Sequence, residues 1–269
     1  STSMLLNAQT RTWDRELMRT MDLPEAVLRP VITPGSVRRP VRLAAIRELG
    51  YDQLQYVPVA SHDTASAVAA APLQPGELFC SSGTWSLFGA ELDEPILTKQ
   101  AFENNFSNEG GVDGKIRFLK NIMGMWILQQ CNAQWQQQGL TLSWPEIVQL
   151  AAQAQPFRSF IDPESTLFYT AGRMIEKVQN YCKETAQPVP ETPGQIARCV
   201  YESIALQYRR TFDQLCAVTQ RSWFALRIVG GGSSNQMLDQ MIADALDLPV
   251  YAGPSEAASI GNILMQAAA

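Results

Sequence analysis

The run Val59–Val68 reads VASHDTASAV and holds the only histidine of the chain, His62, followed directly by Asp63 and Thr64. A carboxylate set among small side chains lets a substrate come close, and it can take the proton of a hydroxyl whose oxygen is attacking. The same residues suit the start of a helix. There Ser61 or Asp63 would cap the free N–H groups ahead of an alanine-rich run, 65–71, that Pro72 stops.

Two other stretches carry residue types suited to chemistry. In RIVGGGSSNQ, Gly230, Gly231 and Gly232 follow an apolar run and precede a helical one. Glycines at such a turn let a ligand approach backbone that any Cβ would screen. The helix beyond offers unpaired N–H groups to anionic or polar atoms. The spacing is neither G-x-G-x-x-G nor a P-loop ending in Gly-Lys-Ser/Thr, so a plain strand-to-helix turn explains it as well. In SSGTWSL, Ser81, Ser82, Gly83 and Thr84 form a donor-rich corner. Such a corner can hold phosphate oxygens or can bond only its own backbone. Together with an isolated aspartate at a helix start, the two turns suggest phosphoryl transfer: a carboxylate accepts a hydroxyl proton while backbone donors hold phosphates.

The elements that must position these residues read as follows. RTWDRELMRTMDLPEAVL has helical spacing and runs into the proline-rich LRPVITPGSVRRP; YDQLQYVPVAS is a short strand. Arg38-Arg39-Pro40-Val41-Arg42 reads as a solvated loop. PLQPGE at 72–77 is the candidate hinge between domains. LFCSSGTWSLFGAEL and NNFSNEGGVDGKIRFLKN are hairpins. NIMGMWILQQCNAQWQQQ is a helix, and helices follow around 143–155, 170–186 and 192–219. The last shows Ala197, Val200, Ile204, Tyr208, Phe212 and Leu215 on one face. FALRIV, the glycine turn, a helix with a buried stripe of Met237, Leu238, Met241, Ile242 and Ala245, and a strand come next, then the helix begun by EAASIGNI.

A chain of 269 residues with 46% hydrophobic and 17% charged residues can bury a sizeable core. Its formal charge of -5 argues against a nucleic-acid partner, and no apolar run reaches the length of a bilayer span. With one histidine, imidazole-based metal sites are close to excluded. Cys80, Cys131, Cys182, Cys199 and Cys216 show no metal-type spacing and read as reduced, mostly buried thiols, with a Cys182–Cys199 pair between two helices as the alternative. A cytoplasmic protein is expected.

SHDTASAV, SSGTWSL, NEGGVDGKIRFLKNIMGMW and IVGGGSSNQMLDQMIADAL, in that order and over nearly the whole chain, resemble the FGGY carbohydrate kinases. The resemblance implies an α/β fold of the actin/hexokinase-like ATPase (ribonuclease H-like) type, a mixed sheet with flanking helices, mostly the second domain. It implies that residues 1–75 are the C-terminal remnant of the first, sugar-binding domain and 76–269 the second, nucleotide-binding one. It assigns Asp63 as general base, with His62, Thr64 and Asn121 as further sugar contacts. Thr84, Gln129, Gly230, Gly231, Gly232 and Asn235 become nucleotide contacts, with Asn121 and Gln129 on one helix. ATP and Mg²⁺ are the implied cofactors, a small sugar the partner, and the oligomeric state stays open. Among sugars L-rhamnulose leads, with L-fuculose, a xylulose and glycerol as alternatives.

The family's Asp-x-Gly strand is not found at the start of this sequence, and the final helix stops abruptly. A fragment is therefore expected, without kinase activity by itself and with apolar surface exposed. A non-catalytic sugar- or nucleotide-binding protein on the same fold is the rival reading, and a dehydrogenase or methyltransferase built on the glycine turn a third. The missing fingerprint weakens the third, and binding of ATP but not NAD or S-adenosylmethionine separates them.

Overall fold

The computed structural model describes residues 3–36, 39–40, 44–51, 54–71 and 73–269. It forms two compact units, one of Ser1–Leu73, Gly89–Leu119 and Glu256–Ala269, the other of Gln74–Phe88 and Lys120–Ser255.

In the first unit, helical spacing over 11–28 yields only α1 (Arg15–Thr20), capped by the Asp14 carboxylate on Leu17 N–H, and a 3-10 turn at Glu25–Val27. Asp22 takes a left-handed φ of 51°, and Pro24 disfavours helix for the residue before it. The expected strand shrinks to β2 (Gln55–Tyr56), paired antiparallel with β1 (Arg39–Pro40). Arg39 and Pro40, read as loop, are thus in an exposed two-residue strand, whereas Arg38, Val41 and Arg42 lie outside the described residues. Helix α2 (Ala44–Glu48) precedes β2, and α3 (Asp63–Ala69) follows it. Helix α3 packs against α10 (Ala257–Ala268). Small residues allow this: a Cβ on Gly261 would stand 1.8 Å from the Ser66 carbonyl oxygen. Helix α4 (Lys99–Glu103) and β5 (Ser107–Gly110) complete the unit, β5 pairing antiparallel with the first half of β6 (Ile116–Met123).

The second unit holds β3 (Glu77–Ser82), parallel to β7 (Ala225–Val229), which is parallel to β8 (Val250–Ala252). Strands β4 (Trp85–Leu92) and β6 run from one unit into the other, and the sheet order is β5-β6-β4-β3-β7-β8. Both hairpins are present, so the sheet is mixed, as expected. Glu77 on β3 accepts a two-pronged contact from Arg227 on β7, Nε to Oε2 at 2.5 Å and Nη2 to Oε1 at 3.0 Å.

Helices α5 (Trp126–Gln137), α6 (Trp144–Gln153), α7 (Met174–Glu184), α8 (Pro193–Thr219) and α9 (Gln236–Leu246) flank the strands. The expected start of α5 at Asn121 is wrong: Asn121, Ile122 and Met123 continue β6. The strand runs on because Gly124 is pressed against the β3–β4 turn, where a Cβ would meet the Gly83 carbonyl oxygen at 2.6 Å. Met125 N–H then donates to Gly83 O and Trp126 N–H to Thr84 O, which fixes the helix start. The stripe of α9 is also rotated. Leu238, Asp239, Ile242 and Leu246 are its buried residues, while Met237, Met241 and Ala245 are only half-buried. All five cysteines are free, and four of them are buried. Among the described residues no helix is long and apolar enough to cross a membrane.

Candidate functional site

In the first unit, the start of α3 and one side of α10 border a cleft of about 460 Å³ lined by Ser61, Asp63 and Ser66 with Ser259, Asn262 and Ile263. The N-cap of α3 is His62, not Ser61 or Asp63. Its Nδ1 accepts from Thr64 N–H at 3.2 Å, because the residue's extended backbone carries the imidazole back over the first turn. Asp63 is the first helical residue, where a negative charge is favoured by the free N–H groups. Its Oδ1 accepts from Thr64 N–H at 2.7 Å and lies 2.9 Å from His62 Nδ1. Oδ2 makes no hydrogen bond among the described residues, and the side chain is 80% exposed. Asp63 is therefore a fixed, solvent-facing carboxylate with one oxygen uncommitted. Thr64 is buried instead.

The second unit has its own cleft, of about 600 Å³, with Gly83, Gln129, Gly231, Gly232 and Asn235 in its lining and an apolar side made by Met125, Trp144, Pro145, Val148 and Met237. Thr84 Oγ1 donates to Gln129 Oε1 at 3.1 Å, tying the β3–β4 turn to α5. The three glycines have different reasons. Gly230 has φ 86° and lies so close to β3 that a Cβ would meet the Ser82 carbonyl oxygen at 2.7 Å. A Cβ on Gly232 would fall 2.0 Å from Ser82 Oγ, whereas one on Gly231 would meet nothing within 4 Å. Two glycines thus permit packing, and the middle one leaves the cleft open. Asn235 caps α9, its Oδ1 accepting from Leu238 N–H at 3.2 Å.

Five of the six expected nucleotide residues, Gln129, Gly231, Gly232, Asn235 and, through its hydrogen bond, Thr84, thus gather about one cleft. Asn121 is exposed on β6, outside the lining of either cleft and on a different element from Gln129. Sequence reasoning missed Trp144, Pro145, Val148 and Tyr201. The first three sit at the start of α6, whose role is invisible until tertiary packing brings it beside the glycine turn. Tyr201 follows Val200, a member of the stripe expected for α8, but is not itself part of that stripe, and it lines the cleft. Burial pushes its phenol up to about 12, so the hydroxyl keeps its proton.

Residues 78–269 match the FGGY family of carbohydrate kinases, C-terminal domain. The chain is 43% identical to a rhamnulokinase of Bacteroides thetaiotaomicron over 268 residues, 99% of this chain and 54% of that protein. It is 40% identical to a rhamnulokinase of Enterococcus faecalis over 269 residues, again 54% of the relative. The chain thus spans about half the length of the curated relatives it matches. Among solved structures, a ligand-bound xylulose kinase from Lactobacillus acidophilus aligns with TM-score 0.70 at 16% identity, covering 97% of this chain and 52% of that one. A glycerol kinase from Plasmodium falciparum with ADP aligns with TM-score 0.69 at 15% identity, covering 97% and 51%. The fold is that of these sugar kinases, of the actin/hexokinase-like ATPase type.

Proposed function

This chain belongs to the FGGY family of carbohydrate kinases, and we propose that it forms part of an enzyme that transfers phosphate from ATP to the 1-hydroxyl of L-rhamnulose. The observation that carries the substrate is the identity of 43% to a rhamnulokinase along 99% of the chain. In this reading residues 1–75 belong to the first, sugar-binding domain and 76–269 to the second, nucleotide-binding one.

A sugar hydroxyl is a weak nucleophile at neutral pH. Asp63, fixed at the start of α3 with an uncommitted Oδ2, orients that hydroxyl and accepts its proton as the O–P bond forms; such help is worth about 10²–10⁴-fold. His62 and Thr64, on either side of Asp63, and Asn121 on β6 are the further sugar contacts of this proposal, although none of the three lines the cleft beside Asp63. Thr84, Gln129, Gly230, Gly231, Gly232 and Asn235 hold the nucleotide. The open position beside Gly231 and the free N–H groups of α9 suit anionic oxygens, and the apolar side suits a base. Mg²⁺ neutralises phosphate charge when bound. No three acidic, histidine or cysteine side chains gather as a metal cage among the described residues. The cytoplasm is the proposed location.

The test is ADP formation by a full-length kinase carrying this segment, offered L-rhamnulose, L-fuculose, xylulose and glycerol, beside Asp63→Asn. Preference for L-rhamnulose and a loss of at least about 10²-fold in the variant are expected. Turnover of another sugar would replace the substrate but keep the kinase. No sugar-dependent ADP at all would overturn the reading in favour of a binding protein.

A further inference from the structure

Tyr201 presents a polar group that the fold leaves unused. Its side chain is fully buried on α8 and lines the cleft of the second unit, yet Oη has no hydrogen-bond partner among the described residues. A buried hydroxyl without a partner is costly and uncommon. The Asn235 carboxamide borders the same cleft and acts on the phenol oxygen to favour its charged form, but makes no hydrogen bond to it. Asn235 has its Oδ1 engaged by Leu238 N–H, while no bond is made by its Nδ2 among the described residues. Phenol and carboxamide thus stand at one cleft, each with an unused hydrogen-bonding group.

We propose that Tyr201 is a positioning residue for nucleotide recognition: when nucleotide enters the cleft, the Tyr201 hydroxyl pairs with the Asn235 carboxamide and holds it against the nucleoside. The inference rests on the reading of this cleft as the nucleotide site. Oη is too enclosed to touch a ligand where it stands, so it acts through Asn235, which borders the same cleft. The hydroxyl is kept for the bound state and is a defect in the free one.

That arrangement gives opposite signs in two measurements on the 269-residue chain. Tyr201→Phe removes the unsatisfied hydroxyl without changing shape, so the ligand-free melting temperature should rise by about 2–4 °C. The same variant should bind ADP about 3–10-fold more weakly, the worth of one neutral hydrogen bond. Binding of pyrophosphate, which has no nucleoside, should stay unchanged. In an Asn235→Ala background the effect of Tyr201→Phe on ADP should fall below about 2-fold, since the two act together. An undiminished effect in that background, or ADP binding by Tyr201→Phe equal to wild type, would overturn the inference while leaving the nucleotide site intact. Failure of the unaltered chain to bind ADP would instead remove the nucleotide reading, and the inference with it.

Discussion

Asp239 shows at the residue scale how a polar side chain can be carried inward by its neighbours. It sits on the buried side of α9 at 9% exposure with Oδ2 unpartnered, and burial pushes its carboxyl up to about 6. An unfolded aspartate titrates near ~4, so the folded chain holds this proton more tightly. Stability should be greatest below that unfolded value, fall as pH rises from about 4 to 6, and stay at the lower level above. Asp239→Asn is therefore expected to stabilise the chain by about 1–2 kcal/mol at pH 7.5, allowing for solvent screening, with the gain vanishing near pH 4; thermal melts at both pH values check it. The glycines allow a second test. Gly232→Ala should cost about 1–3 kcal/mol, because its Cβ runs into Ser82. Gly231→Ala has room and should leave the melting temperature nearly unchanged while weakening ADP binding, as the methyl enters the cleft.

At the scale of elements, the position of Asp63 depends on how closely α3 and α10 approach. Gly261 lies against the Ser66 carbonyl, with no space for a methyl. Gly261→Ala should push the helices apart at a cost of about 1–3 kcal/mol, and a full-length kinase carrying it should lose turnover along with melting temperature. Helix α8 depends on a capping box in which Thr192 Oγ1 accepts from Gln195 N–H and the Gln195 side chain accepts from Thr192 N–H. Thr192→Ala should cost about 1 kcal/mol without altering ADP affinity, which separates loss of fold from loss of site.

At the scale of the whole molecule, each unit contains its own cleft. Nucleotide should therefore act on one of them. Addition of ADP is expected to slow amide hydrogen exchange in the β3–β4 turn, the start of α5 and residues 230–238, and to leave residues 59–68 unchanged. Protection confined to the latter segment would contradict the assignment of the glycine turn to nucleotide.

The sequence by itself determined the hairpins, the four helices from α6 to α9, the strand–glycine turn–helix and the family, because these depend on local periodicity and on motifs of contiguous residues. It went wrong where long-range contacts outweigh local preference. Strand β6 continues through Asn121 because Gly124 is packed under the β3–β4 turn. The stripe of α9 turned for the same reason: the packing against α8 and β8 decides which face is buried, and it buried Asp239. Tertiary structure alone decided that the start of α6 and Tyr201 border the glycine turn. Those residues are distant in the chain, and only the meeting of their surfaces makes them one site.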